Sequence, residues 1–239
     1  MSGHSKWAKI KRGKESEDAK RGAIFTKLGN AIALAAKTGG DPNMNPTLAL
    51  AVQKAKEANM PNANIDRSIK RGTGELGGAV IEEMTYEGYG PGGVAIIVEC
   101  ASDNRNRTYA DVRTAFSKHG GNIAETGAVS FQFEHKGVIE LVKSGDDEAD
   151  ELSIIDAGAD DVIDGEDHWV VYTDMKQLHQ VKKSLESSEL KVKQAHLAYV
   201  PKEPMEIDDE STQNKVMRLL DILDELDDVV ETYTNFDIA

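Results

Sequence analysis

The chain has 239 residues, a formal net charge of −14, one cysteine and only 5% aromatic residues. That length suits two or three compact units, and a chain of this size buries roughly 70–75% of its unfolded surface without help from disulfides or metals. The lone Cys100 excludes an internal disulfide, no apolar run approaches the ~20 residues of a membrane span, and no apolar segment follows the basic N-terminus to make a secretory signal.

The charge is divided along the chain. Residues 1–75 hold 14 Lys/Arg against 7 Asp/Glu, net +7, and residues 76–239 hold 14 against 35, net −21. A basic head on an acidic body can dock on phosphate at one end while the rest stays in solvent. Residues 1–14 are nearly free of apolar side chains beyond Trp7 and Ile10, and with two glycines and a dense run of cations they read as a mobile arm. From about Ser16 the pattern turns helical: Phe25, Leu28, Ile32 and Ala35 draw one apolar stripe, closed by Thr38-Gly39-Gly40. Asn45-Pro46 starts a second helix, and Asn62 or Asn64 a third in which Ile65 and Ile69 turn inward, Arg67, Lys70 and Arg71 outward, and Gly72 ends the helix. Three short-linked amphipathic helices make a small bundle.

After Gly78 the period falls from 3.6 to 2. Strands are expected at 80–87 and 93–100 about a glycine-rich turn, then a helix from 106 to 119 with Tyr109, Val112 and Phe116 inward, then a strand at 127–134 from the alternation Val129, Phe131, Phe133. Further strands are expected at 136–142, 160–164, 168–173 and 191–199, with helices at 146–156 and 174–187 between them. Pro201 and Pro204 mark a linker, before a final helix at 209–226 and strand at 229–235. The order is ββαβ, then βαββαβ, then αβ. The middle block is a complete split βαβ sandwich, and the last αβ can complete the first block. The expected fold is α+β: an N-terminal three-helix domain followed by two ferredoxin-like α+β domains, one inserted into the other, with boundaries 1–78, 79–134 plus 206–239, and 135–205.

Most apparent chemical motifs dissolve on inspection. Gly88-x-Gly90-x-x-Gly93 has the letters of a dinucleotide fingerprint, but a strand follows it rather than a helix, so it reads as a hairpin turn. The acidic run Asp160–Asp167 fails as a calcium loop because Val162 and Val171 fall on ligand positions. The six histidines show no ligand spacing, and no nucleophile elbow or P-loop is present. The expectation is a non-enzymatic protein with no cofactor, no bound metal, no small-molecule substrate and no membrane partner.

Two segments carry positive signals. The arm offers Lys6, Lys9, Lys11, Arg12, Lys14, Lys20 and Arg21 to phosphates, with Lys27 in the same basic stretch and Trp7 free to stack on a base. Its alternative is a solubilising tail with Trp7 folded back on the helices. The second segment is Asp103-Asn104-Arg105-Asn106-Arg107-Thr108, where Arg105 and Arg107 at a helix start make an anion site or, alternatively, pair with acidic neighbours while Asp103 or Asn104 caps the helix.

The ordered motifs GHSKW (Gly3–Trp7, with His4), DAKRG (Asp18–Gly22), IFTKL (Ile24–Leu28), TGGDP (Thr38–Pro42), YEGYGPGG (Tyr86–Gly93), SDNRNRT (Ser102–Thr108), FSKHGGN (Phe116–Asn122), AGADDV (Ala157–Val162) and KVMRLLDILDELDDV (Lys215–Val229) resemble the YebC family over essentially the whole chain. That family comprises probable transcriptional regulatory proteins and mitochondrial translational activators of cytochrome c oxidase subunit I. The resemblance implies three domains and a protein of the bacterial cytoplasm or of an organelle; with no Arg- and Ser-rich stretch before GHSKW, the cytoplasm is expected. The resemblance implies either DNA binding in transcription or ribosome association that carries translation through difficult stretches such as proline runs. It also places nucleic-acid contact on the N-terminal pattern His4 to Arg21. A sequence-specific DNA reader usually offers a long recognition helix, and the short third helix is the nearest candidate. A Lys/Arg arm with one Trp suits irregular RNA better. The expected partner is therefore ribosomal RNA or the ribosome, with DNA as the alternative and a role as an acidic protein-interaction adaptor third.

Overall fold

The structure is a computed structural model that describes residues 19–165, 168–188 and 190–238. The expected arm lies outside the described residues. Three helices come first: α1 (Ala19–Ala36), α2 (Pro46–Glu57) and α3 (Asn62–Gly72). Asn45 caps α2, its Oδ1 accepting from the Leu48 amide at 3.1 Å, while its Nδ2 donates to the carbonyls of Ala35 and Gly39, both at 2.8 Å. One buried side chain thus starts α2 and ties it to the end of α1. Ile32, Leu48, Val52, Ala55, Met60 and Ile65 close the bundle core. Gly72 does more than end α3: a Cβ there would run into the Ala33 carbonyl, so the missing side chain lets α3 lie against α1.

The first sheet is built from β1 (Glu82–Tyr89), β2 (Ala95–Ser102), β3 (Asn122–Ala124) and β9 (Val229–Thr234), in the order β3-β1-β2-β9 with all neighbours antiparallel. β1 and β2 meet in register from Glu82↔Ser102 to Tyr89↔Ala95. The turn between them is a short 3₁₀ segment, Pro91–Gly93, in which Gly92 and Gly93 take φ of 74° and 82°, so the glycines serve a hairpin, as expected. Helices α4 (Arg105–Lys118) and α7 (Glu210–Glu225) cover one face. Phe116, Val112, Leu219, Leu220 and Leu223 meet Met84, Val94, Ile96 and Val98 there, and a Cβ at Gly88 would fall 2.6 Å from Phe116.

The second sheet contains β4 (Phe133–Val142), β5 (Asp161–Asp164), β6 (His168–Asp174) and β7 (Val192–Pro201), in the order β5-β6-β4-β7. Helices α5 (Asp147–Asp156) and α6 (Leu178–Ser187) pack on it through Ile154, Leu178, Val181 and Leu185 against Ile139, Leu141, Trp169 and Val171. This is the split βαβ sandwich in full. The first sheet has the same spatial plan with a permuted chain: β2-α4-β3 is one split unit, α7-β9 supplies the last strand, and β1 occupies the slot between β3 and β2. The expected α+β architecture, with one sandwich's strands lying between the two parts of the other, is what the chain forms.

Three local expectations need correction. The alternation Val129-x-Phe131-x-Phe133 is not a strand. Residues 130–132 form a 3₁₀ turn with Phe131 65% exposed, and the third strand of the sheet is the short β3 upstream. The cause is Glu87, whose buried carboxylate accepts the amides of Gly127, Val129 and Ser130 at 2.7, 2.7 and 2.9 Å and so folds that segment into a loop. The expected linker after Pro201 contains β8 (Met205–Ile207), which pairs in parallel with β10 (Phe236–Ile238). Tyr109, expected inward, is 41% exposed.

The units touch head to sheet and sheet to sheet. Ala33 of α1, fully buried, packs with Ile81 and Ala101 on the face of the first sheet opposite α4 and α7. The sheets meet through Tyr233, whose hydroxyl donates to Glu99 Oε2 at 3.0 Å and whose ring sits edge-on to Tyr199 at 5.3 Å; His135 stacks on the other ring at 4.6 Å.

Candidate nucleic-acid interface

Of the residues expected to meet nucleic acid, His4, Lys6, Trp7, Lys9, Lys11, Arg12 and Lys14 lie outside the described residues. Lys20 and Arg21 fall in the first turn of α1. Lys27, two turns on, donates its Nζ to the Asp224 carbonyl at the end of α7. The head thus spends some of its charge on the body. Asn30 donates to the Asp227 carbonyl at 3.3 Å, and Lys54 faces Glu231 at 3.8 Å. Arg71, on the expected outward face of α3, instead turns its guanidinium to Asn30 Oδ1 at 2.5 Å. Lys37, Lys56, Arg67 and Lys70 are exposed, with no side-chain hydrogen bond or ion pair among the described residues.

The two arginines of the second segment part company at the first turn of α4. Asn104 is the cap, its Oδ1 accepting the Arg107 amide at 3.1 Å. Residues 103, 107 and 111 follow one another at helical spacing on the side of α4 that faces the head. There Arg107 donates through Nε and Nη2 to the Asp228 carboxylate at 3.2 and 3.0 Å and through Nη2 to Ser102 Oγ at 3.0 Å, while Thr108 Oγ1 donates to the same carboxylate at 2.8 Å. The hydrogen bonds from Arg107 to Asp228 and the carboxylate's charge hold the guanidinium's pKa above its usual value. Asp228 is 14% exposed, so this pair is partly withdrawn from water. It borders a cleft of ≈ 680 Å³ between head and sheet, where Asn30 and Arg71 form the opposite wall.

Arg105 points elsewhere. It is exposed, its guanidinium has no ion pair among the described residues, and it lines a second cavity of ≈ 470 Å³ beside β3 with Asn106, Tyr109 and Tyr86. The Tyr86 and Tyr109 rings lie 5.9 Å apart, tilted by 52°, and the Tyr86 hydroxyl donates to the Arg105 carbonyl at 3.4 Å. Glu87 borders the same cavity, and although burial works against its charge, the three amides it accepts hold its carboxyl below the usual carboxylate range. Sequence patterning missed both Glu87 and Tyr109. A Glu in a strand has no local mark of its partners, and Tyr109 falls in phase with the apolar stripe. Among the described residues no group of three His, Cys, Asp or Glu could hold a metal ion, and no helix is long and apolar enough to cross a membrane.

A cationic three-helix head docked on the first of two α+β sandwiches, with one arginine paired and one unpaired among the described residues at the same helix start, defines a modular α+β protein. Residues 5–75 match the model of the TACO1/YebC N-terminal domain and residues 81–236 that of the TACO1/YebC second and third domains, so the chain belongs to the TACO1/YebC family. It is 52% identical to a "probable transcriptional regulatory protein" of Persephonella marina, over 100% of this chain and 97% of that one, and 51% identical to one of Halothermothrix orenii, over 100% and 96%. The crystal structure of a conserved hypothetical protein from Aquifex aeolicus, 45% identical, superposes with a TM-score of 0.85 over 93% of this chain and 92% of that one.

Proposed function

We propose that this protein is a non-enzymatic, nucleic-acid-associated regulator of gene expression, and more specifically a ribosome- and RNA-binding translation factor that relieves stalling, for example at proline runs. The carrying observation is its charge polarity: net +7 over residues 1–75 against −21 over the rest. The acidic end of α7 and Glu231 of β9 face Lys27, Lys54 and Arg71, which leaves Lys37, Lys56, Arg67 and Lys70, unpaired among the described residues, for the outside polyanion that the basic N-terminal sequence also suits. The strongly acidic body would be repelled by a long duplex, but it fits a ribosomal cleft in which protein and solvent face it. Head and arm contact RNA electrostatically, the sandwiches hold the head in place, and the protein acts by favouring a productive geometry of bound RNA. The working units are residues 1–78, 79–134 with 206–239, and 135–205, and the setting is the cytoplasm. The reading involves no cofactor, no small-molecule substrate and no membrane.

The names of the bacterial relatives favour a second reading, a DNA-binding transcriptional regulator. Against it, α3 has only 11 residues and Arg71 is turned inward to Asn30. Sucrose-gradient sedimentation of the tagged protein from lysate, at low and moderate salt and with RNase or DNase, separates the two. Co-migration with ribosomes that fades as salt rises, and is lost on deletion of residues 2–14, is the expected result. Recovery with chromosomal DNA, sensitive to DNase and absent from ribosomes, overturns the translation reading.

A further inference from the structure

The cavity beside β3 has a composition that neither the charge polarity nor docking of the head requires. Its walls are Tyr86 and Tyr109, its floor includes Ile123, its cation is Arg105, and Asn106 and Thr126 bring an amide and a hydroxyl to the rim. Tyr109 is 41% exposed although it stands on the helix that closes a core, so its ring is presented to solvent at some hydrophobic cost. β3 pairs only with Glu87–Tyr89, so the edge of β1 is open alongside Thr85 and Tyr86. Glu87 fixes the far wall by clamping the loop that follows Thr126 through three amides. The volume, ≈ 470 Å³, lies in the range of small-ligand sites, about 300–1,000 Å³.

We infer that this cavity is a binding site for one unpaired nucleotide of RNA. The base stacks on the exposed ring of Tyr109, which Tyr86 backs, its edge meets Asn106 and Thr126, and Arg105 takes the adjoining phosphate. Aromatic faces accept any base and a guanidinium accepts phosphate, so the site selects unpaired strands rather than a sequence. A base held in a duplex keeps its faces covered by its neighbours and cannot enter. An acidic peptide would use Arg105 but leave the ring pair unused. The partition of the two arginines follows: Arg107 is committed to Asp228 and builds the fold, and Arg105 is left for the ligand.

This inference rests on the RNA reading above, and the test keeps the two apart. The probe is a fluorescein-labelled mixed-sequence 12-nucleotide RNA, either single-stranded or annealed to its complement, titrated with the full-length chain. Wild type is expected to bind the single strand more tightly, and ultraviolet cross-linking should map to Tyr86 or Tyr109. Tyr109→Leu should weaken single-strand binding by roughly 5- to 100-fold, the range expected for one stacked base, and Arg105→Ala should weaken it and flatten its salt dependence, as loss of one phosphate contact does. Tyr109→Phe should restore it, and melting temperatures should stay near wild type because both side chains are exposed. If wild type binds the strand but both variants bind equally well and no cross-link falls in the cavity, the nucleotide site is wrong and the RNA reading stands. If the variants lose duplex binding to the same degree, the selectivity is wrong. If wild type binds no RNA, both readings fail together.

Discussion

At the scale of single residues, partners matter more than type. Arg105 and Arg107 are two positions apart and both more than a third exposed, yet one is held by a carboxylate, a hydroxyl and its own helix cap, and the other by nothing among the described residues. Arg107→Ala leaves Asp228 with the Thr108 hydroxyl alone; it should cost about 1 kcal/mol in urea unfolding, the low value reflecting solvent around the guanidinium. Arg105→Ala should unfold with the wild-type midpoint. Glu99 makes a pH prediction. Burial, with Glu83 and Glu231 nearby and only partly offset by the Tyr233 hydroxyl, pushes its carboxyl up to about 7. The folded protein therefore holds a proton that the unfolded chain releases near pH 4.5, so the stability from Glu99 is complete below that value and is lost as pH rises through about 7. Urea midpoints measured from pH 5 to 8 should fall by the equivalent of about 2–3 kcal/mol. Glu99→Gln, neutral throughout, should remove that slope.

At the scale of elements, helices and the hairpin are legible because their signals are local. The stripe Phe25, Leu28, Ile32, Ala35 and the Asn45-Pro46 start are visible in sequence and present in the fold. Asn45 also acts beyond its own helix: its amide clamps the end of α1 while its oxygen caps α2. Asn45→Asp keeps the cap and loses both donors; Asn45→Ala loses both roles. Thermal melts of the full chain should place both variants below wild type, Ala by roughly 2–3 kcal/mol and Asp by at least as much, because its second oxygen faces the Ala35 and Gly39 carbonyls where the amide donated. Equal melting for Asp and wild type would show that the clamp contributes nothing. The failed strand at 127–134 marks the limit of local reading. Alternation is evidence for a strand only if the backbone amides are free to pair across a sheet, and three of these amides are taken by Glu87, 40 or more residues away.

At the scale of the whole molecule, the head is docked by a small apolar patch ringed with polar contacts. Ala33 sits with no exposed surface against Ile81 and Ala101, while Lys27, Asn30 and Lys54 reach acidic or carbonyl groups of the body. A patch that small makes docking separable from folding. Ala33→Glu should release the head while both sandwiches keep their cores, read as faster proteolysis between residues 73 and 81 with little change in the main unfolding transition. Loss of the main transition instead would show that head and body fold as one unit. The same mixture of charges makes docking sensitive to salt, as contact with RNA must be.

The sequence by itself determined the charge polarity, the three-helix head, the order of strands and helices within the two sandwiches, and the completion of one sandwich by the C-terminal αβ unit. Those properties follow from composition, period and spacing, which act over a few residues or over whole segments. The tertiary structure decided which arginine is free, where the third strand lies, that Tyr109 faces outward, and that Gly72 permits helix packing as well as ending a helix. Each of those depends on a partner distant in the chain: Asp228 for Arg107, Glu87 for the loop at 126–132, Tyr86 for Tyr109, Ala33 for Gly72. A pairing of that kind leaves no mark in the spacing of either residue, because it is made only when the fold has brought the two segments together.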